Sequence, residues 1–229
     1  MGAKVGLLII ATNKYQKFLQ PLIDSADKFF LSSNLSVDYF IFTDSLCDIR
    51  NSKRVVNFIL TKHEPWPWMT LGRYHIFNKN KPQLSKRDYL FYCDADMLFC
   101  DHVGTEILSD LVATQHPGYY GSRGTPETNP DSSAYVSESE PMQYFAGGFN
   151  GGTSSSFLSM ASTISNNINK DLDKKYTAIW HDESHLNRYM IDNQPTQILD
   201  PGYCFGESIR PPFRPRLIAL DKNHNEIRN

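Results

Sequence analysis

Val5-Gly6-Leu7-Leu8-Ile9-Ile10-Ala11 is an unbroken apolar run of strand length. Both of its alternating faces are apolar, the pattern of a central strand in a parallel sheet covered from two sides. A polar turn, Thr12-Asn13-Lys14, follows it. Tyr15, Phe18, Leu19, Leu22, Ile23, Ala26, Phe29 and Phe30 then recur at helical spacing, which predicts one amphipathic helix, kinked where Pro21 interrupts it. Ser36 to Thr43 (SVDYFIFT) and Arg54 to Leu60 (RVVNFIL) predict two more strands, Trp66 to Phe77 a helix, and Asp88 to Cys93 a fourth strand. The β-α-β-β-α-β order predicts an α/β sheet with its loops gathered at one edge.

The second half is less regular. Glu106 to Thr114 predicts a short helix, and Phe157 to Ile168 and Glu183 to Asp192 two more. Ser122 to Pro141 reads as a long loop, of the kind that forms a lid or stays unstructured. Gly147 to Ser156 (GGFNGGTSSS) reads as a tight backbone feature. No internal repeat is present. The 229 residues are enough for one domain with a sizeable core.

A net charge of −2 gives no basic surface for nucleic acid or anionic membrane. The longest apolar run is far too short to span a bilayer. One lysine precedes it and no cleavage pattern follows, so no signal peptide is expected. The four cysteines, 47, 93, 100 and 204, show no Cys-x-x-Cys spacing and read as reduced thiols of a cytoplasmic protein.

The chemistry concentrates where the fourth strand, Asp88 to Cys93, runs into Asp94-Ala95-Asp96. In an extended segment residues two apart share a face, so both carboxylates can address one point beyond the strand's C-terminal end. Open α/β sheets bind ligands there. Two hard oxygen donors suit Mn²⁺ or Mg²⁺ with a diphosphate filling the remaining positions; the plain alternative is a solvated turn. In Trp180-His181-Asp182-Glu183-Ser184-His185 the glutamate is not adjacent to the first histidine as a zinc protease requires. The plain reading of this segment is a helix start, with Asp182 as N-cap and Glu183 favoured by the helix dipole. Gly147-Gly148 lets backbone approach a ligand closely, and Lys222, His224 and Arg228 make the C-terminal tail basic.

These segments together resemble glycosyltransferase family 6, the retaining α-1,3-glycosyltransferases of the ABO blood-group and α-galactosyltransferase type. The matching stretches are YFIFTD (39–44), YLFYCDADMLFCDHVGTEIL (89–108), HPGYYGS (116–122), AGGFNGG (146–152), WHDESHLNRY (180–189) and KNHNEIRN (222–229). The chain is most similar in kind to compact bacterial or phage-type members, without the anchor and stem of the animal Golgi enzymes. The resemblance implies an α/β GT-A fold, a Rossmann-like mixed sheet with flanking helices. Within one domain, it implies a nucleotide-binding half (about 1–100), an acceptor and donor-sugar half (about 101–221) and a tail (222–229) that closes on the diphosphate. It implies a UDP-sugar donor, with Asp94 and Asp96 holding Mn²⁺ and Ala95 between them. Ile10, Ala11, Thr12 and Tyr15 would line the uridine pocket. Arg73 would bridge the donor sugar and the aspartates, and Lys222 and Arg228 would cover the pyrophosphate. Ala146, Gly147 and Gly148 match the donor-selecting segment, and their small size favours UDP-GalNAc over UDP-Gal. His181 and Asp182 would hold the donor, and Glu183 would be the catalytic carboxylate. His116 and Trp180 match acceptor-binding positions for a galactoside, most simply a fucosylated one. The expected acceptor acid is displaced by one position, onto Glu207.

Two other readings compete. An apolar strand followed by Asp-x-Asp also opens HAD-type phosphohydrolase sites, but there it stands at the first strand and not nearly a hundred residues into the chain. A non-catalytic UDP-sugar-binding protein would not need Asp94, Asp96, Arg73 and Glu183 together.

Overall fold

The computed structural model describes residues 2–31, 35–209 and 212–228, with residue 228 described by its backbone alone. In chain order the elements are β1 (Lys4–Ile10), α1 (Leu19–Phe29), β2 (Ser36–Thr43), β3 (Val55–Leu60), α2 (Trp68–Leu71), α3 (Arg73–Lys79), α4 (Lys81–Leu84), β4 (Tyr89–Cys93) and β5 (Met97–Phe99). There follow β6 (Leu111–Gln115), β7 (Phe145–Thr153), α5 (Ser154–Asp173), α6 (Asp182–Asp192), β8 (Gln197–Leu199), β9 (Phe205–Gly206), β10 (Leu217–Ala219) and α7 (His224–Arg228).

Seven strands form one mixed sheet in the order β3-β2-β1-β4-β7-β6-β8, with β7 antiparallel to both of its neighbours. β5, β10 and β9 make a small second sheet. Alternation along the central strands divides the core in two. Leu7, Ile9, Tyr39, Ile41, Phe91 and Cys93 face α1, whereas Leu8, Phe40, Phe42, Leu90 and Tyr92 face α3 and α5. Both faces of the sheet are therefore covered, as the sequence of β1 demands. This is the Rossmann-like mixed sheet of the GT-A fold.

From β1 the chain steps outward to β2 and β3, then returns through α2, α3 and α4 to β4 on the other side of β1. The strand order thus reverses between the parallel strands β1 and β4, and a crevice opens beyond their carboxyl ends.

Several elements differ from the sequence reading. The expected kinked helix is a 3₁₀ turn, Asn13–Phe18, followed by α1, and Pro21 sits in the first turn of α1, where a missing N–H costs nothing. The helix expected over Trp66 to Phe77 is broken at Gly72 into α2 and α3. The helix expected over Glu106 to Thr114 is a 3₁₀ turn and strand β6. The Gly-rich stretch is a central strand, β7. A Cβ on Gly151 would stand 2.2 Å from Phe91 Cδ1 and 2.5 Å from the Leu90 carbonyl oxygen, so only glycine lets β7 pack beside β4.

The 122–141 loop is fastened along its length. Asp171 of α5 accepts from the Ser132 hydroxyl (2.5 Å) and the Ser133 amide (2.7 Å). Arg188 of α6 donates to the Tyr135 carbonyl (3.2 Å) and the Glu140 carboxylate (2.8 Å). Ala134 and Val136 are buried beneath these ties. The loop is a strap that closes over α5 and α6.

Gly151→Ala is expected to lower stability by about 1–3 kcal/mol through overpacking, read as a lower urea midpoint without a change in slope.

Candidate active site

The crevice beyond β1 and β4 is a cleft of about 400 Å³. It gathers Ile10, Thr12 and Tyr15 from the end of β1, Asp94, Ala95 and Asp96 from the end of β4, Arg73 from α3, Gly147 and Gly148 from β7, and Lys222 from the tail. Trp180, His181, Asp182 and Glu183, at the start of α6, complete it. Ala11 and Ala146 are buried and outside this lining. The Arg228 side chain lies outside the described residues.

Arg73 ties the site together. Its guanidinium is buried, with Nε 2.8 Å from Asp182 Oδ2 and an NH2 contact of 3.4 Å to Asp94 Oδ1. NH1 donates to the Gly147 carbonyl at 2.8 Å, and the guanidinium carbon lies 4.3 Å from the Tyr92 ring centroid. Three elements (β4, β7 and α6) therefore converge on one cation. Burial opposes its charge, but Asp182, Tyr92 and Asp94 outweigh this and hold the pKa well above the ordinary arginine value.

The two aspartates sit differently. Asp94 follows β4 directly, whereas Ala95 and Asp96 form a turn rather than continuing the extended strand. Asp94 accepts from the Tyr92 hydroxyl at 2.5 Å and keeps its outer side partly exposed. Asp96 is buried and ion-paired with Lys222 of the tail, whose ammonium also lies 5.7 Å from the Tyr15 ring centroid.

The start of α6 departs from the plain reading of its sequence. His181, not Asp182, occupies the N-cap position, and it makes no side-chain cap. Asp182 is the first helical residue and is committed to Arg73. His181 has φ 53° and ψ −124°, a region almost restricted to glycine, at a cost of about 1–3 kcal/mol. The two histidines therefore do not share a helix face: His181 lines the cleft, while His185 is buried near Asp171. Glu183 accepts the Gly147 amide at 2.8 Å and opens onto the cleft. Burial pushes Glu183 up to about 7 and Asp182 up to about 6, the latter opposed by Arg73.

The glycines at the end of β7 serve these carboxylates. A Cβ on Gly147 would lie 3.3 Å from Glu183 Oε2 and 3.5 Å from Arg73 NH1. On Gly148 it would lie 3.0 Å from Cys204 Sγ and 3.1 Å from Asp94 Oδ2.

The expected acceptor residues are not gathered in this way. Trp180 stands half-exposed on the rim, its indole N–H donating to Thr125 Oγ1 at 2.7 Å. His116 lies outside the cleft lining, packed on Tyr119 and Tyr144 and accepting the Gly118 amide through Nδ1. Glu207 is exposed, also outside the lining, and accepts the Asp221 amide. Sequence reasoning missed His63, which shares a 2.8 Å hydrogen bond with Thr12; Trp66, whose ring meets His181 edge-on at 5.2 Å, also lines the cleft. Sequence reasoning also missed Thr125. None of these lies in a motif; His63 follows β3, and only the sheet order brings it to the end of β1.

The raised carboxylates carry a pH signature. Glu183 and Asp182 bind protons more tightly folded than at their ordinary values of 4.5 and 3.8. Their contribution to stability is therefore complete below those values and is lost as pH rises towards about 7. In the ligand-free protein the thermal midpoint should fall over that interval, and Glu183→Gln should flatten the slope. Arg73→Ala, which strands Asp182, should cost about 3–5 kcal/mol, measurable by chemical denaturation.

The family model of glycosyltransferase family 6 matches residues 2–229. Over 239 residues the chain is 34% identical to the histo-blood group ABO system transferase 1 of Rattus norvegicus, covering 98% of this chain and 68% of that protein. It is 31% identical over 242 residues to the globoside alpha-1,3-N-acetylgalactosaminyltransferase 1 of Gallus gallus, covering 100% and 70%. It is 28% identical over 229 residues to the O-antigen biosynthesis glycosyltransferase WbnI of Escherichia coli, covering 95% and 94%. With a family match across nearly its whole length and a cleft at the β1/β4 switch point, the chain belongs to glycosyltransferase family 6 and is a glycosyltransferase.

Proposed function

We propose that this protein is a retaining α-1,3-glycosyltransferase. It moves N-acetylgalactosamine, or galactose, from a UDP-sugar to a galactose-terminated, fucosylated glycan, with Asp94 and Asp96 holding Mn²⁺ or Mg²⁺. The observation that carries this reading is the meeting of Asp94, Asp96, Arg73, Asp182 and Glu183 in one cleft. The named relatives, one of them an alpha-1,3-N-acetylgalactosaminyltransferase, support the linkage and the donor.

The donor set fits a hard divalent cation. Two carboxylates stand at the end of β4, and phosphate oxygens and water would supply the remaining ligands of such an ion. Bound there, such an ion neutralises charge growing on the departing UDP. Ile10, Thr12 and Tyr15 take the nucleoside end. Lys222, paired with Asp96, and Arg228 are the tail residues that serve the diphosphate. Asp182, held by Arg73, accepts from donor-sugar hydroxyls, with His181 beside it. The absence of side chains at Gly147 and Gly148 gives the sugar room against the strand, which supports GalNAc as the donor sugar without rejecting galactose.

Glu183 faces the sugar ring. It acts either as a nucleophile on C1, dividing the transfer into two steps, or as the anion that stabilises an oxocarbenium-like state while the acceptor attacks. Both routes need the carboxylate ionised. The activity of the free enzyme should therefore fall as pH drops through about 7, opposite in direction to the stability trend. Trp180 offers an apolar face to the acceptor galactose, and His116 and Glu207 serve the outer part of the acceptor.

The test is UDP release from UDP-GalNAc and UDP-Gal with Mn²⁺ or EDTA, with and without 2′-fucosyllactose. Metal-dependent release from UDP-GalNAc, stimulated by the acceptor, is the expected result. UDP-sugar binding with no turnover, even to water, would leave a binding protein instead. Glu183→Gln should lower kcat by about 10²-fold or more with little change in UDP affinity; near-normal turnover would refute its role.

A further inference from the structure

Glu127 is 3% exposed, lies outside the cleft lining and takes no part in the chemistry above. Its Oε2 accepts the Ile179 amide at 2.8 Å and its Oε1 the Asn129 amide at 2.8 Å. Its own carbonyl accepts the Val136 amide at 2.9 Å, so the carboxylate is anchored in the strap. A buried carboxylate is expensive unless its hydrogen bonds are made; the Asn129 bond stays within the strap, and the Ile179 bond leads to the segment before α6. Two residues beyond Ile179, His181 holds its φ of 53°. The next two residues are Asp182 and Glu183.

A non-glycine residue in such a conformation persists only when its surroundings over-determine it. On the helix side the turn is fixed by the Asp182–Arg73 ion pair and the bond from the Gly147 amide to Glu183. The Trp180 amide donates to Ser184 Oγ at 3.0 Å and the His181 amide to the Ala178 carbonyl at 2.9 Å, which closes the turn on itself. On the other side the strap holds it at two points, Thr125 on the Trp180 indole and Glu127 on the Ile179 amide. Of these, only Glu127 grips the backbone. We propose that Glu127 is a positioning residue: through Ile179 it holds the strained His181 turn that aims Asp182 and Glu183 into the cleft. The proposal rests on the roles given above to those two carboxylates.

Glu127→Ala should lower kcat with UDP-GalNAc by about 10- to 100-fold, the scale of a small misplacement of reacting groups. UDP affinity, measured by calorimetry, should stay within about twofold, because the nucleotide end shares no partner with Glu127. Glu127→Gln keeps an amide oxygen for Ile179 but turns its NH2 towards the Asn129 amide, so it should recover part of the turnover lost in Glu127→Ala, which a loss of overall folding would not permit. If Glu127→Ala does not fold, Glu127→Asp carries the same test, since it keeps the charge and draws the carboxylate back from Ile179. Wild-type turnover in Glu127→Ala or Glu127→Asp, or UDP affinity falling in step with kcat, would overturn the proposal. Glu183→Gln in the same assay separates the two claims. An inactive Glu183→Gln beside a fully active Glu127→Ala sinks only the positioning role, and an active Glu183→Gln sinks the catalytic assignment and the positioning role with it.

Discussion

The cleft depends on one buried cation. Arg73 draws Asp94 at the end of β4, the Gly147 carbonyl of β7 and Asp182 of α6 to a common point. Without it, two carboxylates would face each other in a poorly solvated space, and each would bind a proton or move apart. The cation–π contact with Tyr92 fixes the guanidinium from below, and the Tyr92 hydroxyl returns to Asp94. Arg73 is the first residue of α3, immediately after Gly72 ends α2.

The same cleft is a compromise between stability and chemistry. Glu183 and Asp182 are enclosed enough that protonation favours the folded state, yet the role proposed for Glu183 requires it as an anion. His181 adds backbone strain immediately beside them. These unfavourable features are concentrated in one turn, and rigid neighbours on both sides hold it: α6 with Arg73 and Gly147, and the strap with Glu127 and Thr125. Strain stored at a site and balanced by its frame is a recurring physical pattern.

Much of this was legible in the sequence, for identifiable reasons. The strands β1, β2 and β4 were readable because two-sided burial leaves apolar residues on both alternating faces. The Asp94/Asp96 pair and the start of α6 were readable because their side-chain types are rare at such places. β7 was hidden because close packing against Phe91 demands glycine, which local rules read as a turn. β6 was hidden because a short apolar run carries no decisive period. The N-cap was misassigned because Asp182 satisfies Arg73, more than a hundred residues earlier in the chain, rather than its own helix. Glu127 was invisible, since a Ser/Pro/Gly-rich segment does not announce a buried carboxylate whose partner amide lies 52 residues away.

The end of β7 has a consequence for how such an enzyme can diversify. At Gly147 the direction in which any side chain would grow leads to Glu183 and Arg73, and at Gly148 to Asp94 and Cys204. On the proposed reading, the strand beside the donor sugar is thus also the wall against which the charges rest. Sugar preference and reaction rate would then not drift as separate traits at these two positions. A lineage changing one inherits a change in the other, and its accessible route runs through compensating substitutions at neighbours such as Cys204.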